Sequence, residues 1–315
     1  MFHTDILRSE YMKLIRNPVL YHQRSVITIG NFDGLHNGHQ RLIETLINAS
    51  KALRLPSLLV TFEPHPTEFF FPQNPAPRLM RFSEKWNAVK KWGVDYFCCL
   101  RFNQKLAQLS AEDFVKTILV DQLGAKKIMV GDDFRFGTKR LGDVSLLQTL
   151  GKKYDFEVVA LSQSLYRGDR ISSTRVRDAV FEGDFKRVSA LTHHPFCLTG
   201  HVAYGDQIGR QLGFPTANIY LRRKQVPLMG IFVVHVHGLH HRILSGVASV
   251  GYRPTFDGKK ILLEVFIFDF DEIIYGRKIT VEFLHKIRDE LKFDSVDELV
   301  VQIKKDVVMA KHYFL

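Results

Sequence analysis

Two histidines three residues apart, His36 and His39, close the run Gly30-Asn31-Phe32-Asp33-Gly34-Leu35-His36-Asn37-Gly38-His39. Its glycines let the backbone turn sharply and approach a ligand closely. Helical spacing begins at Gly38, so the run opens a helix. Free N–H groups and the positive dipole end there suit a phosphate. Imidazoles three apart share a helix face, so both can address that phosphate. A metal would want further ligands nearby, and none stands at metal spacing.

A second run, Gly205 to Asn218, reads Gly-Asp-Gln-Ile-Gly-Arg-Gln-Leu-Gly-Phe-Pro-Thr-Ala-Asn. Its glycines and proline predict a loop between strands. Between the two runs, Ser173 and Thr174 stand at a predicted helix N-terminus, a second anion site or a plain cap.

The elements that must position these groups divide the chain in two. In the first half short apolar runs alternate with helical patterns: strands at 25–30, 57–62, 94–102, 127–131 and 156–161, helices at 38–53, 83–92 and from Ser110 to Leu123. Ser110 with Asp113 resembles a capping box. The alternation predicts a parallel sheet covered by helices. After His194-Pro195, strand patterns at 198–204, 231–237, 247–251, 261–268 and 278–283 are separated by Gly, Pro and Asp. Only the tail, 295–312, is helical. That order predicts an antiparallel β-barrel with a C-terminal helix. The expected division is 1–186 and 187–315.

The 315 residues suit two domains, and 45% hydrophobic content supplies sizeable cores. No apolar run reaches the length of a membrane span, and the first ten residues carry no apolar signal segment. Three cysteines, Cys98, Cys99 and Cys197, do not make a disulfide framework, and a cytoplasmic setting is expected. The net charge of +11 suits phosphate-bearing partners. No basic block of five or more and no basic tail occurs, so small-molecule substrates are expected, not nucleic acid or membrane. Weak or transient self-association stays open.

The motifs, in order, resemble a known family. The first run resembles the HxGH motif of the nucleotidyltransferase superfamily, in the GNFDGxHxGH form of bacterial FAD synthetase. Thr61-Phe62-Glu63-Pro64-His65-Pro66, Gly131-Asp132-Asp133-Phe134-Arg135-Phe136-Gly137 and Arg170-Ile171-Ser172-Ser173-Thr174-Arg175-Val176-Arg177 are similar to its TFEPHP, GxDFxFG and ISSTxxR elements. The second run resembles the GxxxGRxLGFPTAN motif of riboflavin kinases. Gly246 to Thr255 and the stretch from Phe283 to Phe293 extend that resemblance. The family implied is the bifunctional riboflavin kinase/FMN adenylyltransferases. The resemblance implies a Rossmann-like α/β nucleotidyltransferase domain followed by a β-barrel kinase domain with a C-terminal helix.

It implies two reactions on ATP: phosphorylation of riboflavin to FMN, and adenylylation of FMN to FAD with release of pyrophosphate. Adenylyl transfer needs no protein nucleophile; positioning and charge stabilisation carry it. Gly30, Asn31, Phe32, Asp33, His36, His39, Asp133, Arg170, Ser173, Thr174 and Arg177 are then the expected ATP site of the first half. Phe62, Pro64 and His65 are expected against the flavin. In the second half Gly209 and Gly213 let the loop close over phosphate, and Thr216 and Asn218 would hold Mg2+. Glu264 is the expected general base, and Arg288 and Glu290 are expected flavin contacts. The chain departs from the family's usual residues at Phe232, Ser249, Phe266 and Ile273.

Three weaker signals remain. His235, His237, His240 and His241 read as solvated strand and turn histidines. Phe69-Phe70-Phe71-Pro72 reads equally as core filling or as a flap on a planar ring. Cys98-Cys99 reads as core packing.

Overall fold

The computed structural model describes residues 12–205, 208–221, 223, 225–255 and 258–315. The chain separates into two compact units, the first running to Ala76 and including Met80–Ser172, the second made of Pro77–Leu79 and Ser173–Leu315.

The first unit holds a six-stranded sheet. Its strands are β1 (Lys13–Ile15), β2 (Ser25–Ile29), β3 (Ser57–Glu63), β4 (Tyr96–Arg101), β5 (Ala125–Gly131) and β6 (Glu157–Leu161), in the order β1-β4-β3-β2-β5-β6. Every pairing is parallel. All five residues of β2 are buried, as a strand covered on both faces requires. Successive side chains point to opposite faces and fill two cores. Ile27, Leu58, Cys98 and Ile128 enter one; Val26, Leu59, Cys99 and Met129 enter the other. Cys98 and Cys99 therefore form no disulfide and lie back to back across the sheet. The helix Asn37–Leu53 presents Leu42, Ile43 and Leu46 to the second core. Each such burial is worth about 1.5–3 kcal/mol.

The strand order places the site. The chain steps from β2 to β3 to β4 on one flank, then returns to lay β5 on the other flank of β2. The carboxyl ends of β2 and β5 thus bound the crevice where the order reverses, the place where open α/β sheets bind ligands. After β6, a hairpin of β7 (Leu165–Tyr166) and β8 (Asp169–Arg170) ends the unit.

The second unit opens with two helices, Ser173–Glu182 and Phe185–Thr192. A closed barrel follows: β9 (Cys197–Ala203), β10 (Thr216–Tyr220), β11 (Gly230–His237), β12 (Leu244–Thr255), β13 (Gly258–Ile267) and β14 (Lys278–Arg288), in the order β10-β13-β12-β11-β14-β9. Every pairing is antiparallel, and β9 against β10 closes the ring. Phe232, Val234 and Val236 are fully buried at alternate positions of β11. The C-terminal helix Val296–His312 is capped by Ser295, whose Oγ accepts from Glu298 N at 3.2 Å. Its Ala310 and Val307 pack on Val233, Val247 and Phe268.

The expected division at 186/187 falls two residues inside the helix Phe185–Thr192. Phe185 is 5% exposed, and its ring lies 6.4, 6.0 and 5.9 Å from those of Phe196, Phe232 and Phe283. That packing explains why both helices count with the barrel. Sequence periodicity also misses β10: Thr216 and Asn218, expected in a loop, lie on a barrel strand. The short β1 and the helix Val144–Tyr154 are likewise absent from the sequence reading.

Candidate active sites

The Gly30–His39 run leaves the carboxyl end of β2 and enters the helix at Asn37. Phe32 and Leu35 have left-handed φ of 49° and 42°. Such residues persist only when their surroundings over-determine them. Here Phe32 and Leu35 are 0% and 2% exposed and packed in the second core. Asp33, 2% exposed, accepts from Met80 N at 2.9 Å and fixes the turn's far side.

The two imidazoles stack, with centroids 3.7 Å apart and planes at 18°. Gly38 matters for that arrangement, because a Cβ there would stand 3.3 Å from the His36 ring. Nδ1 of each ring is buried, with no partner among the described residues. Burial lowers the pKa of His36 to about 4, aided by Arg170, while Asp33 and Asp133 oppose the shift. Burial lowers His39 well below the usual histidine range, with contributions from His36 and Lys85. Both rings are therefore neutral near pH 7, each with one N–H and one acceptor nitrogen.

Asp133 lies two residues beyond the end of β5 and pairs with Arg170 from β8. Asp133 and Arg170 thus lie together beside the histidine run, close enough for both to act on the His36 charge. Ser173 begins the helix Ser173–Glu182 of the second unit, as the sequence predicts, with Thr174 next. Arg177 on that helix donates through Nε to Pro77 O at 2.7 Å.

The expected flavin residues of the first unit are structured locally. Phe62 packs edge-on to Phe102 at 5.7 Å, and Phe69 and Phe70 join the same ring cluster. Phe70 and Phe71 are exposed. His65 caps the helix Pro66–Phe70: its Nδ1 accepts from Thr67 N at 3.2 Å, and its own N–H donates to Glu68 at 3.3 Å. Pro64, exposed, follows Glu63 through a cis peptide bond.

In the second unit Thr216 and Asn218, two apart on β10, share one face. The barrel register sets Asn218 opposite Glu264, and Glu264 opposite Ser249. Thr216 pairs with Phe266, whose ring meets Phe214 edge-on at 5.5 Å. Asn218 is 8% exposed, and its Nδ2 donates to Thr216 O at 3.3 Å. The amide nitrogen is thereby turned to the backbone, leaving Oδ1 as the acceptor. Gly205 makes room for that amide, since a Cβ there would lie 2.5 Å from Nδ2. At Gly209 a Cβ would strike Phe214 O at 2.4 Å; Gly213 has φ +85°. A cavity of about 290 Å3 opens here, lined by Gly205, Arg210, Thr216, Asn218, Glu272 and Tyr275 among others.

Arg288 makes a forked ion pair with Asp306 of the C-terminal helix, Nε to the two oxygens at 2.9 and 3.1 Å and Nη2 to Oδ2 at 2.6 Å. Glu290 lies against Gly251, where any Cβ would meet Oε1. Of the departures, Phe232 is core, Ile273 is 82% exposed and lines the cavity, and Ser249 and Phe266 flank Glu264 and Thr216 across the strands.

Lys85 is the residue sequence reasoning passes over. It is 5% exposed on the helix Phe82–Lys90, and its ammonium donates to Asn31 O at 2.5 Å and Thr61 Oγ1 at 3.3 Å. One signal could have found it: Lys85 shares the apolar face of Phe82, Trp86 and Val89. Among the described residues no group of three or more His, Cys, Asp or Glu could hold a metal. His237 instead pairs with Glu282 at 2.8 Å.

Two family models match. FAD synthetase covers residues 20–175 and riboflavin kinase covers residues 192–314. A bifunctional riboflavin kinase/FMN adenylyltransferase of Escherichia coli K12 is 43% identical over 289 residues, 92% of each chain. The protein of that description from Haemophilus influenzae is 42% identical over 308 residues, 96% of this chain and 99% of its own. The chain belongs to the bifunctional riboflavin kinase/FMN adenylyltransferase family. Its FAD synthetase part is N-terminal and its riboflavin kinase part C-terminal. A solved structure named as a macrolide-efflux protein of Streptococcus pneumoniae is 34% identical, with a TM-score of 0.78 over 94% of this chain and 97% of that one. Efflux is said of that protein alone. Among the described residues here, no helix is long and apolar enough to cross a membrane.

Proposed function

We propose that the family's two reactions run at two separate sites of this chain, adenylylation of FMN within 1–186 and phosphorylation of riboflavin within 187–315. The stacked, neutral His36–His39 pair at the switch point of the parallel sheet carries the first assignment. Its N–H groups and the following helix N-terminus are the donors for the ATP phosphates. Arg170, with Asp133 at its side, supplies positive charge where pyrophosphate develops. A phosphate oxygen of FMN attacks the α-phosphorus, so the protein's work is alignment and charge stabilisation. The aromatic cluster around Phe62 and Phe102 offers ring edges and faces for the isoalloxazine.

In the barrel, Glu264 accepts the proton of the ribityl 5′-hydroxyl as that oxygen attacks the γ-phosphate. Thr216 Oγ1 and Asn218 Oδ1 fit Mg2+, which binds through few protein oxygens and completes its shell with water and phosphate. When bound, the cation offsets phosphate charge. Arg210, also on the cavity, adds a cation for ATP.

Reciprocal variants test the assignment. With riboflavin, ATP and Mg2+, Glu264→Gln loses FMN formation by about a hundredfold or more, the usual span of general-base contributions. It still converts supplied FMN to FAD. His36→Ala with His39→Ala shows the reverse. Loss of both activities in either folded variant would sink the two-site reading.

A further inference from the structure

Burying an ammonium is costly unless it is paired, and packing alone at position 85 would be served by methionine. Here the Lys85 ammonium is buried against the backbone carbonyl of Asn31 and the hydroxyl of Thr61. Its Nζ donates to Asn31 O at 2.5 Å, and Thr61 Oγ1 donates to the same oxygen at 3.3 Å. Lys85 Nζ and Thr61 Oγ1 are themselves 3.3 Å apart, closing a three-membered polar cluster.

Asn31 is the second residue beyond β2 and directly precedes Phe32, the left-handed residue that turns the chain toward the histidines. A second tie joins the same two segments: Met80 N, just ahead of the Lys85 helix, donates to Asp33 at 2.9 Å. The turn is thus held at Asn31 from the helix Phe82–Lys90 and at Asp33 from the residue just before that helix's cap. Lys85 also lies close enough to His39 to help keep that ring neutral.

We propose that Lys85 is a positioning residue of adenylyl transfer, its ammonium locking the Asn31 carbonyl and through it the turn that seats His36 and His39 against the triphosphate. The proposal rests on the reading of the histidine pair given above. A turn free to relax would displace the donors at the reacting phosphorus, where small misplacements cost rate more than binding.

The test uses the full chain with FMN, ATP and Mg2+, comparing Lys85→Met, Thr61→Val and the double variant His36→Ala/His39→Ala. Trp86 and Trp92, both in the first unit, report whether that unit remains folded. In folded Lys85→Met, kcat for FAD formation should fall about tenfold or more. KM for FMN and ATP should stay within about threefold, the pattern of an interaction that serves the transition state. Riboflavin phosphorylation serves as the internal standard and should hold. Parental kcat, or a loss confined to KM, overturns the proposal. Should Lys85→Met unfold the first unit, Thr61→Val decides: a fall in kcat of about threefold or more supports the clamp, and a smaller one overturns it. The double histidine variant separates the two levels. If it still makes FAD, the histidine reading itself fails. If it does not, while Lys85→Met keeps the parental kcat, only the Lys85 proposal fails.

Discussion

Replacing Asp306 by alanine should destabilise the barrel unit while sparing the first unit. The Asp306 side chain is 4% exposed and that of Arg288 17%, so the pair is largely out of water. Asp306 receives three contacts from Arg288, at 2.9, 3.1 and 2.6 Å, and one from Gln302 Nε2 at 2.9 Å. Alanine leaves the guanidinium buried with its main acceptor gone, and breaking a buried pair this way costs about 3–5 kcal/mol. With a urea m-value of about 1.5–2 kcal/mol/M, the unfolding midpoint drops by about 1.5–3 M. Far-UV circular dichroism reports both units together and tryptophan fluorescence the first unit alone, where both tryptophans lie, so a dichroism shift that the fluorescence lacks belongs to the barrel. The dichroism transition should move and the fluorescence transition should not. A shift below about 0.3 M in a two-state transition would mean the pair is water-screened, and the structural account of Arg288 would fail. Equal stability with lost kinase activity would show that the pair serves the flavin contact expected of Arg288.

Two further outcomes follow from particular residues. The folded pKa of His36, about 4, lies below the unfolded value of 6.5, so the unfolded chain takes up the proton first as pH falls. Stability is therefore fully present above pH 6.5 and declines toward pH 4, by about 3 kcal/mol from this group at about 1.4 kcal/mol per unit. His36→Ala should flatten that stretch of the tryptophan-monitored stability profile, and an unchanged slope would refute the burial argument. Among fragments, 173–315 should unfold cooperatively, whereas 187–315 loses Phe185 from its contacts with Phe196, Phe232 and Phe283 and should be about 3–5 kcal/mol weaker. Equal denaturation midpoints would show that Phe185 contributes nothing to the barrel.

The legible parts of this chain were those with a strong local signature. β2 reads as a buried strand because Val26, Ile27 and Ile29 are apolar without alternation, which is what two covered faces demand. The C-terminal helix reads from its 3.6-residue spacing and from Ser295 at its start. β10 escaped because its identity lies in its partners. Thr216-Ala217-Asn218 follows a proline and contains no run of β-branched residues, yet β9 and β13 hydrogen-bond it on both sides. Pairing of that kind joins residues far apart in sequence, and no window along the chain contains it.

Site residues differ in the same way in how much of their arrangement local spacing carries. His36 and His39 are neighbours on a helix start, so spacing alone brings them together. Glu264 is 46 residues from Asn218 and 15 from Ser249, and only the barrel register sets the three in one row. Lys85 is harder still, because a lysine on an amphipathic helix ordinarily snorkels its charge to solvent. Here the stem follows the apolar face inward, and the head stays buried because Asn31 O and Thr61 Oγ1 meet it there. Those acceptors come from the ends of two other strands, β2 and β3. A buried charge is tolerated only where the fold has already assembled its partners, so its meaning belongs to the assembled sheet and not to the helix that carries it.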